Sequence, residues 1–182
     1  MQTIKSLDKI LTNEPKFRIE QIKKLIWHNF ITYWNKATSL PKQLKEILEK
    51  EFSLEITSTI QKDKKIKKAV IVLDDGSKIE TVLIRSHNQK NTICLSTQVG
   101  CAMGCSYCAT GKMGLVRNLT EDEIIMQVLL WARHLKKTDK HINNIVFMGM
   151  GEPFLNYDNT LNAIRFINNP NYFNIGARKI SI

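Results

Sequence analysis

Apolar residues spaced three and four positions apart mark the first part of the chain and predict helices. One series follows a 3.6-residue period and consists of Ile19, Ile22, Leu25, Ile26, Phe30 and Trp34. It predicts one long amphipathic helix. Pro41 stands where helices favour proline, and a second helix is expected to continue through Leu44, Ile47 and Leu48. We assign residues 1–60 to a small helical domain.

The pattern then changes to that of β-strands. Two apolar runs, residues 69–73 and 79–84, flank Asp75 and Gly76. Asp-Gly between apolar runs predicts a β-hairpin in which both turn residues have positive φ. We assign residues 61–90 to this hairpin region, and a further strand is expected over residues 92–97.

From residue 91 onward, strands alternate with helices. Thr120 and Glu123 have the spacing of a capping box, which predicts a helix start. The apolar run 145–148 predicts a buried strand, residues 161–167 a second helix, and residues 179–182 a last strand. This βαβαβ order indicates a parallel sheet or an α/β barrel, whose functional loops follow the strands.

The last predicted strand reaches the end of the sequence at Ile182. A parallel strand there, with no helix to cover it, leaves unpaired backbone groups and an apolar face. We therefore expect the chain to be the first half of a longer enzyme. The predicted fold class is α/β, with a helical N-terminal domain, a β-hairpin region and the first part of a barrel truncated at residue 182.

The chain of 182 residues is basic, with a net charge of +10. Its densest cationic cluster consists of Lys62, Lys64, Lys65, Lys67 and Lys68. Such a cluster attracts phosphate backbones, although solvated surface lysines give the same pattern. No apolar run has membrane-spanning length and no signal peptide opens the chain, so we expect a reducing cytoplasm and no membrane partner.

Candidate chemistry is concentrated in one short loop, where Cys101, Cys105 and Cys108 have the spacing C-x3-C-x2-C. Three thiolates can hold three irons of a 4Fe–4S cluster and leave the fourth iron open for S-adenosylmethionine. A structural zinc site needs a fourth ligand, and Cys94 is the only other cysteine. Disulfides need an oxidising compartment. The spacing favours the cluster over zinc, and zinc over disulfides.

A second unusual loop, Gly-Met-Gly-Glu-Pro at residues 149–153, follows the predicted buried strand. Its glycines allow a ligand to approach the backbone, and Glu152 can hold an ammonium group such as the amino group of S-adenosylmethionine. Both loops follow strands, so both are expected at the same rim. Tyr107 is a candidate to lie near the adenine of that ligand, and packing within the loop is the alternative.

These motifs resemble those of the radical S-adenosylmethionine RNA methyltransferases of the RlmN/Cfr type. The matching positions are residues 94–111, 114, 117–120, 123–124, 127–128, 147–153 and 178–182, and residues 13–18 resemble the family's N-terminal domain. The resemblance implies a radical S-adenosylmethionine barrel over residues 91–182 and an RNA-binding accessory role for residues 1–60.

The resemblance also implies residue roles. Cys101, Cys105 and Cys108 would ligate the 4Fe–4S cluster, and Gly151 and Glu152 would contact S-adenosylmethionine.

Two further roles come only from the resemblance. Glu80 occupies the place of a proton-accepting glutamate, and Cys94 that of a cysteine that resolves a protein–RNA crosslink. Without the resemblance, Glu80 is better interpreted as a surface carboxylate and Cys94 as a buried apolar cysteine.

The implied reaction is methylation of C2 of adenosine in 23S rRNA and tRNA, with an electron donor such as flavodoxin. Pro153 favours the RlmN branch over the Cfr branch, which methylates C8 of the same rRNA base. The family's methyl-carrying cysteine would lie beyond residue 182, so we expect incomplete activity from this chain alone. A noncatalytic iron–sulfur or zinc-containing RNA-binding module is the alternative from another class.

Overall fold

The computed structural model describes residues 4–63 and 65–182 and confirms the α/β class. The helices are α1 (Ile4–Ile10), α2 (Lys16–Trp27), α3 (Lys42–Glu51), α4 (Ala109–Lys112), α5 (Glu121–Lys136) and α6 (Tyr157–Asn168). The strands are β1 (Ser58–Lys62), β2 (Ile66–Val72), β3 (Lys78–Arg85), β4 (Asn91–Cys94), β5 (Gln98–Gly100), β6 (Leu115–Asn118), β7 (Asn144–Val146) and β8 (Ile180–Ser181). Short 3-10 turns occupy Trp34–Lys36, Pro153–Asn156 and Ala177–Lys179.

The helical start of the chain differs from the predicted single long helix. Helix α2 ends at Trp27, and Phe30 follows with a φ of 53°. The N–H of Ile31 donates to the carbonyl of Leu25 at 3.1 Å, a bond that closes a helix C-terminus. The prediction of helix as far as Trp34 is therefore wrong beyond Trp27. Trp34 is nevertheless buried, and its indole N–H donates to the carbonyl of Phe52 at 2.7 Å.

Helix α3 begins directly after Pro41, as predicted. Its buried residues are Leu44 and Leu48, whereas Ile47, which the pattern also placed on the inner face, is 49% exposed. Helix α1 was not predicted. It adds Leu7 to the same core, and Leu11, just after its end, is also buried there.

The predicted hairpin is formed by β2 and β3, which pair antiparallel with Ala69 opposite Thr81. Its turn differs from the prediction because only Gly76 has a positive φ, of 81°. The N–H of Gly76 donates to the carbonyl of Leu73, and the N–H of Ser77 donates to the Asp75 carboxylate, both at 2.9 Å. The loop is therefore longer than a two-residue turn. Strand β1, which was not predicted, pairs with β2.

The predicted βαβαβ order is confirmed by the parallel pairs β4–β7 and β7–β8. The main sheet has the strand order β1-β2-β3-β4-β7-β8 and does not close into a barrel within the described residues. Strands β5 and β6 form a separate two-stranded sheet. The capping box at the start of α5 is also confirmed, with Thr120 and Glu123 each bonding the other's backbone N–H.

Helix α5 covers one face of the main sheet. The indole N–H of Trp131 donates to the Thr81 hydroxyl at 3.0 Å, with both residues buried. Arg133 ties this helix to the first part of the chain, because its guanidinium donates to the carbonyls of Leu54 and Ile31 at 2.7 and 2.6 Å. Burial lowers the pKa of Arg133 to about 10. One cluster of buried apolar residues is continuous across these elements, and the domain boundaries at residues 60 and 90 stay a prediction.

No helix within residues 4–63 and 65–182 is long and apolar enough to cross a membrane.

Candidate active site

The cysteine loop begins where two backbones come very close. Gly100, the last residue of β5, has a φ of 75°, and a Cβ there would lie 1.9 Å from the carbonyl oxygen of Gly114. The N–H of Cys101 donates to that same carbonyl at 2.9 Å. Only glycine fits at position 100, and the contact fixes the direction in which the loop leaves the strand.

The three loop cysteines are free thiols. Cys101 is buried, and Cys105 and Cys108 are partly buried. Cys108 precedes α4, and the backbone N–H groups of Gly111 and Thr110 hold the pKa of its thiol below the ordinary value.

This donor set is chemically suited to an iron–sulfur cluster, since thiolates are the ligands that such clusters prefer. Within the described parts of the chain, no three His, Cys, Asp or Glu side chains gather closely enough to hold a metal ion. The three thiols therefore lie in one loop, but in this conformation they are not close enough together to bind a metal ion.

The glycine loop after β7 lies directly against the segment that leads from β4 to β5. The N–H of Gly149 donates to the carbonyl of Leu95 at 3.0 Å, and the N–H of Thr97 donates to that of Met150 at 2.8 Å. A Cβ on Gly149 would lie 2.6 Å from the Leu95 oxygen. Backbone hydrogen bonds thus join the glycine loop to the segment that leads into the cysteine loop.

Two buried polar side chains strengthen this junction, and the sequence analysis did not identify either. The Ser96 hydroxyl accepts from the N–H of Met150 at 2.8 Å and donates to the carbonyl of Glu80 at 2.6 Å. The Gln98 side chain accepts from the N–H of Glu152 at 2.9 Å. Both lie within the motif run 94–111, and their polarity between an apolar strand and a cysteine loop was the available signal.

Gly151 is in contact with Gln98. Its φ is 94°, and a Cβ there would lie 2.5 Å from the Cβ of Gln98. The Glu152 carboxylate accepts the N–H of Phe154 at 3.1 Å and so caps the turn that follows. The backbone at positions 151 and 152 is therefore held from both sides.

The structure places Glu80 and Cys94 on the same face of the sheet. Cys94 pairs with Val82 across β3 and β4, and Glu80 lies two positions from Val82 on the same side. The Lys68 ammonium donates to the Glu80 carboxylate at 2.9 Å. Burial raises the pKa of the Cys94 thiol, which keeps it protonated.

Tyr107 does not pack within the cysteine loop, because its side chain is 91% exposed. The packing alternative is therefore wrong. Its role beside the adenine of S-adenosylmethionine stays a prediction.

Three comparisons place this geometry among known proteins. A sequence model of the Radical SAM superfamily matches residues 95–182. The chain is 43% identical over 171 residues to the "Probable dual-specificity RNA methyltransferase RlmN" of Dictyoglomus thermophilum, covering 93% of this chain and 49% of that protein. It is 41% identical over 177 residues to the protein of the same name in Geobacillus kaustophilus, covering 95% of this chain and 48% of that protein.

A solved structure, of a radical SAM methyltransferase from Sphaerobacter thermophilus, is also similar. The TM-score is 0.89 at 37% sequence identity, covering 98% of this chain and 54% of that chain. The chain spans about half the length of the curated relatives it matches. Radical S-adenosylmethionine proteins in general use S-adenosylmethionine and a 4Fe–4S cluster. Residues 95–182 thus belong to the radical S-adenosylmethionine superfamily, and the chain is a homologue of its RlmN-type RNA methyltransferases.

Proposed function

We propose that this chain provides the cluster-binding and ligand-binding part of an RNA methyltransferase that methylates C2 of adenosine in 23S rRNA and tRNA. The relatives that share about two fifths of its residues are named dual-specificity RNA methyltransferases. That shared name also favours the C2 branch over the C8 branch. We keep residues 1–60 as an RNA-binding accessory domain, 61–90 as the hairpin region and 91–182 as the barrel part.

One observation carries this proposal, the junction between the glycine loop and the segment that leads into the cysteine loop. Hydrogen bonds from Met150 to Ser96 and from Glu152 to Gln98 hold the glycine loop beside the strand that leads into Cys101. A ligand held by the glycine loop therefore lies at the same rim as the thiols. A lone cysteine motif or a lone glycine loop would not require this.

The proposed roles follow from side-chain chemistry. Cys101, Cys105 and Cys108 would hold a 4Fe–4S cluster. The cluster, reduced by an electron donor such as flavodoxin, would supply the electron for reductive cleavage of S-adenosylmethionine. Gly151 contacts S-adenosylmethionine through its backbone, which packs against Gln98, and Glu152 binds the amino group of that ligand.

The remaining proposed roles belong to Glu80 and Cys94, which share one face of the sheet. Glu80 accepts a proton from the substrate adenine, and the Lys68 ammonium, which donates to this carboxylate at 2.9 Å, holds it in place. Cys94, a neighbour on the same face, stays a neutral thiol because burial raises its pKa. Because it lies on a strand outside the cysteine loop, we assign it to a late thiol step rather than to the cluster.

The experiment is anaerobic reconstitution of the chain with iron and sulfide, followed by reduction in the presence of S-adenosylmethionine. We expect iron and acid-labile sulfide in cluster proportions and release of 5′-deoxyadenosine, which Glu152→Gln reduces. Zinc without labile sulfide, or a cluster without cleavage, supports the noncatalytic module instead. Because the chain alone is expected to lack complete activity, RNA methylation is assayed with the downstream half of the protein restored. RNA nucleosides from that reaction are analysed by mass spectrometry, since 2-methyladenosine and 8-methyladenosine separate the two branches.

A further inference from the structure

A small cationic cavity lies at the end of the sheet opposite to the cysteine loop. It measures about 100 Å³. The charged and titratable residues that line it are Lys65, Lys67, Arg85, His134 and Lys140. Arg85 pairs with Asn91, the first residue of β4, whereas the cysteine loop follows that strand's other end. The cavity is therefore separate from the candidate active site.

The strand cations of this cavity belong to the face of the sheet that α5 covers. Lys67 lies two positions from Ala69 on β2 and opposite Leu83 on β3, and both of these apolar residues are buried. Arg85 continues the same side of β3 beyond Leu83. The inner face of the hairpin is thus apolar along most of its length and becomes cationic only at this end.

Stabilisation of the α5 C-terminus does not account for these charges. Basic residues near a helix C-terminus interact favourably with its carbonyls, and the last turn of α5 already contains Arg133, His134 and Lys136. Lys67 and Arg85 come instead from strands. The α5 C-terminus therefore does not explain why Lys67 and Arg85 lie close together.

The cavity also lacks a compensating negative charge. Within the described parts of the chain, no Asp or Glu lines it, and Lys67, Arg85 and Lys140 form no ion pair with a carboxylate. The Lys67 ammonium donates to Nε2 of His134 at 2.9 Å, and the Arg85 guanidinium donates to the Gln89 side chain at 2.8 Å. Cations that converge without a carboxylate repel one another, and a bound anion relieves that repulsion.

We propose that this cavity binds one phosphate group, whose natural source is a backbone phosphodiester of the RNA substrate. The proposal rests on the proposed function for the identity of the RNA. A guanidinium beside ammonium groups provides the donors that phosphate prefers, and the volume suits a single phosphate. Glu80 lies roughly 17 Å away along β3, at about 3.4 Å per residue, and on the opposite face of the sheet. RNA that reaches both positions therefore passes from one face of the hairpin to the other.

The test measures binding of a short single-stranded RNA to the chain over a series of salt concentrations. Lys67→Gln, Arg85→Gln and the double variant are compared with Lys136→Gln, which removes one charge from an exposed position of α5 that does not line the cavity. If one phosphate occupies the cavity, each single variant and the double variant lower the log–log salt slope by the same amount, about 0.7. The Lys136→Gln control leaves the slope unchanged.

A second measurement follows the ring resonances of His134 while inorganic phosphate is added. We expect a saturable shift that Arg85→Gln abolishes, in a variant whose thermal unfolding shows that it is folded. Equal salt slopes in the cavity variants and the unmodified chain overturn the proposal even if RNA binds well. If phosphate shifts the His134 resonances but the chain binds no RNA, the anion site is supported and the proposed RNA function is contradicted. Free phosphate binding tighter than RNA rejects the phosphodiester as its source.

Discussion

The side-chain carbonyl of Gln98 accepts a hydrogen bond from the backbone N–H of Glu152 at 2.9 Å, although 54 residues separate the two. Gln98 is fully buried, and its amide nitrogen donates to the Asn118 side chain at 2.8 Å. One side chain thus links the strand before the cysteine loop, the strand after it and the glycine loop. It positions the proposed ligand-binding residue relative to the proposed cluster ligands.

Replacing Gln98 by Ala is expected to loosen the glycine loop. The variant leaves the N–H of Glu152 without its acceptor, which costs about 1–3 kcal/mol of unfolding free energy. Binding of S-adenosylmethionine to the reconstituted chain should weaken as well. Urea unfolding and equilibrium dialysis measure the two effects. Asn118→Ala is the matched control, since it removes the other partner of Gln98 and keeps the bond to Glu152. Equal ligand affinity in both variants contradicts the positioning role.

Gly151→Ala is expected to be far more harmful than Gly176→Ala. Position 151 has a φ of 94°, and the new Cβ would lie 2.5 Å from the Cβ of Gln98. Backbone strain of this kind alone costs about 1–3 kcal/mol, and the clash pushes the two loops apart. At Gly176 nothing lies within 4 Å and φ is not positive, so that variant should unfold at the same urea concentration as the unmodified chain. Similar midpoints for both variants would show that the contact is not required.

Features with a local signature were predictable from the sequence. The capping box at Thr120 and Glu123 needs only the right residue types three positions apart, and the structure confirms it. The βαβαβ order was equally readable, because strand and helix periods differ along the chain.

Features set by distant contacts were not predictable in this way. Apolar spacing predicted a helix as far as Trp34, but the positive φ of Phe30 ends α2 and leaves Trp34 in a short turn whose indole bonds Phe52. The polarity of Ser96 and Gln98 distinguishes them in the sequence, but it does not identify what they bind. Each acquires its role from a loop that is distant in sequence, and a pattern along one chain segment does not contain that partner.

The placement of charged side chains was also not predictable from the sequence, as the lysine cluster shows. From the sequence alone, Lys67 and Lys68 are equivalent candidates for attracting phosphate. Alternation along β2 sends them to opposite faces, so Lys68 pairs with Glu80 while Lys67 lines the cavity near His134. Their functions are therefore expected to differ, although they are neighbours in the chain.

The cluster ligands are testable by single substitutions. Cys105→Ala should abolish the iron–sulfur chromophore after anaerobic reconstitution, because two thiolates cannot replace three. Cys94→Ala should retain iron and labile sulfide in the original ratio, since Cys94 lies on the sheet rather than in the loop. Iron analysis and absorption spectra measure both variants. Loss of the cluster in Cys94→Ala would make that residue a ligand and reverse the assignment.

The ion pair between Arg117 and Glu123 predicts a dependence of stability on pH. Burial raises the pKa of Glu123, but two hydrogen bonds from Arg117, each 2.8 Å long, and the N–H of Thr120 outweigh burial and hold that pKa below its ordinary value. A lowered folded-state pKa contributes stability that is complete above the ordinary pKa and is lost as the pH falls through the folded value. The chain should therefore unfold more easily in urea as the pH is lowered below about 4.5.

Glu123→Gln separates this effect from general acid sensitivity. The variant can still cap α5, because glutamine serves at that position of a capping box, but it loses the charge that pairs with Arg117. At neutral pH it should be less stable by about 1–3 kcal/mol, and its stability should fall less steeply in acid. Glu46→Gln, which removes a carboxylate from an exposed pair with Lys42 at 3.9 Å, is the control and should keep the original pH profile. A Glu123→Gln profile parallel to that of the unmodified chain would show that the acid transition arises elsewhere.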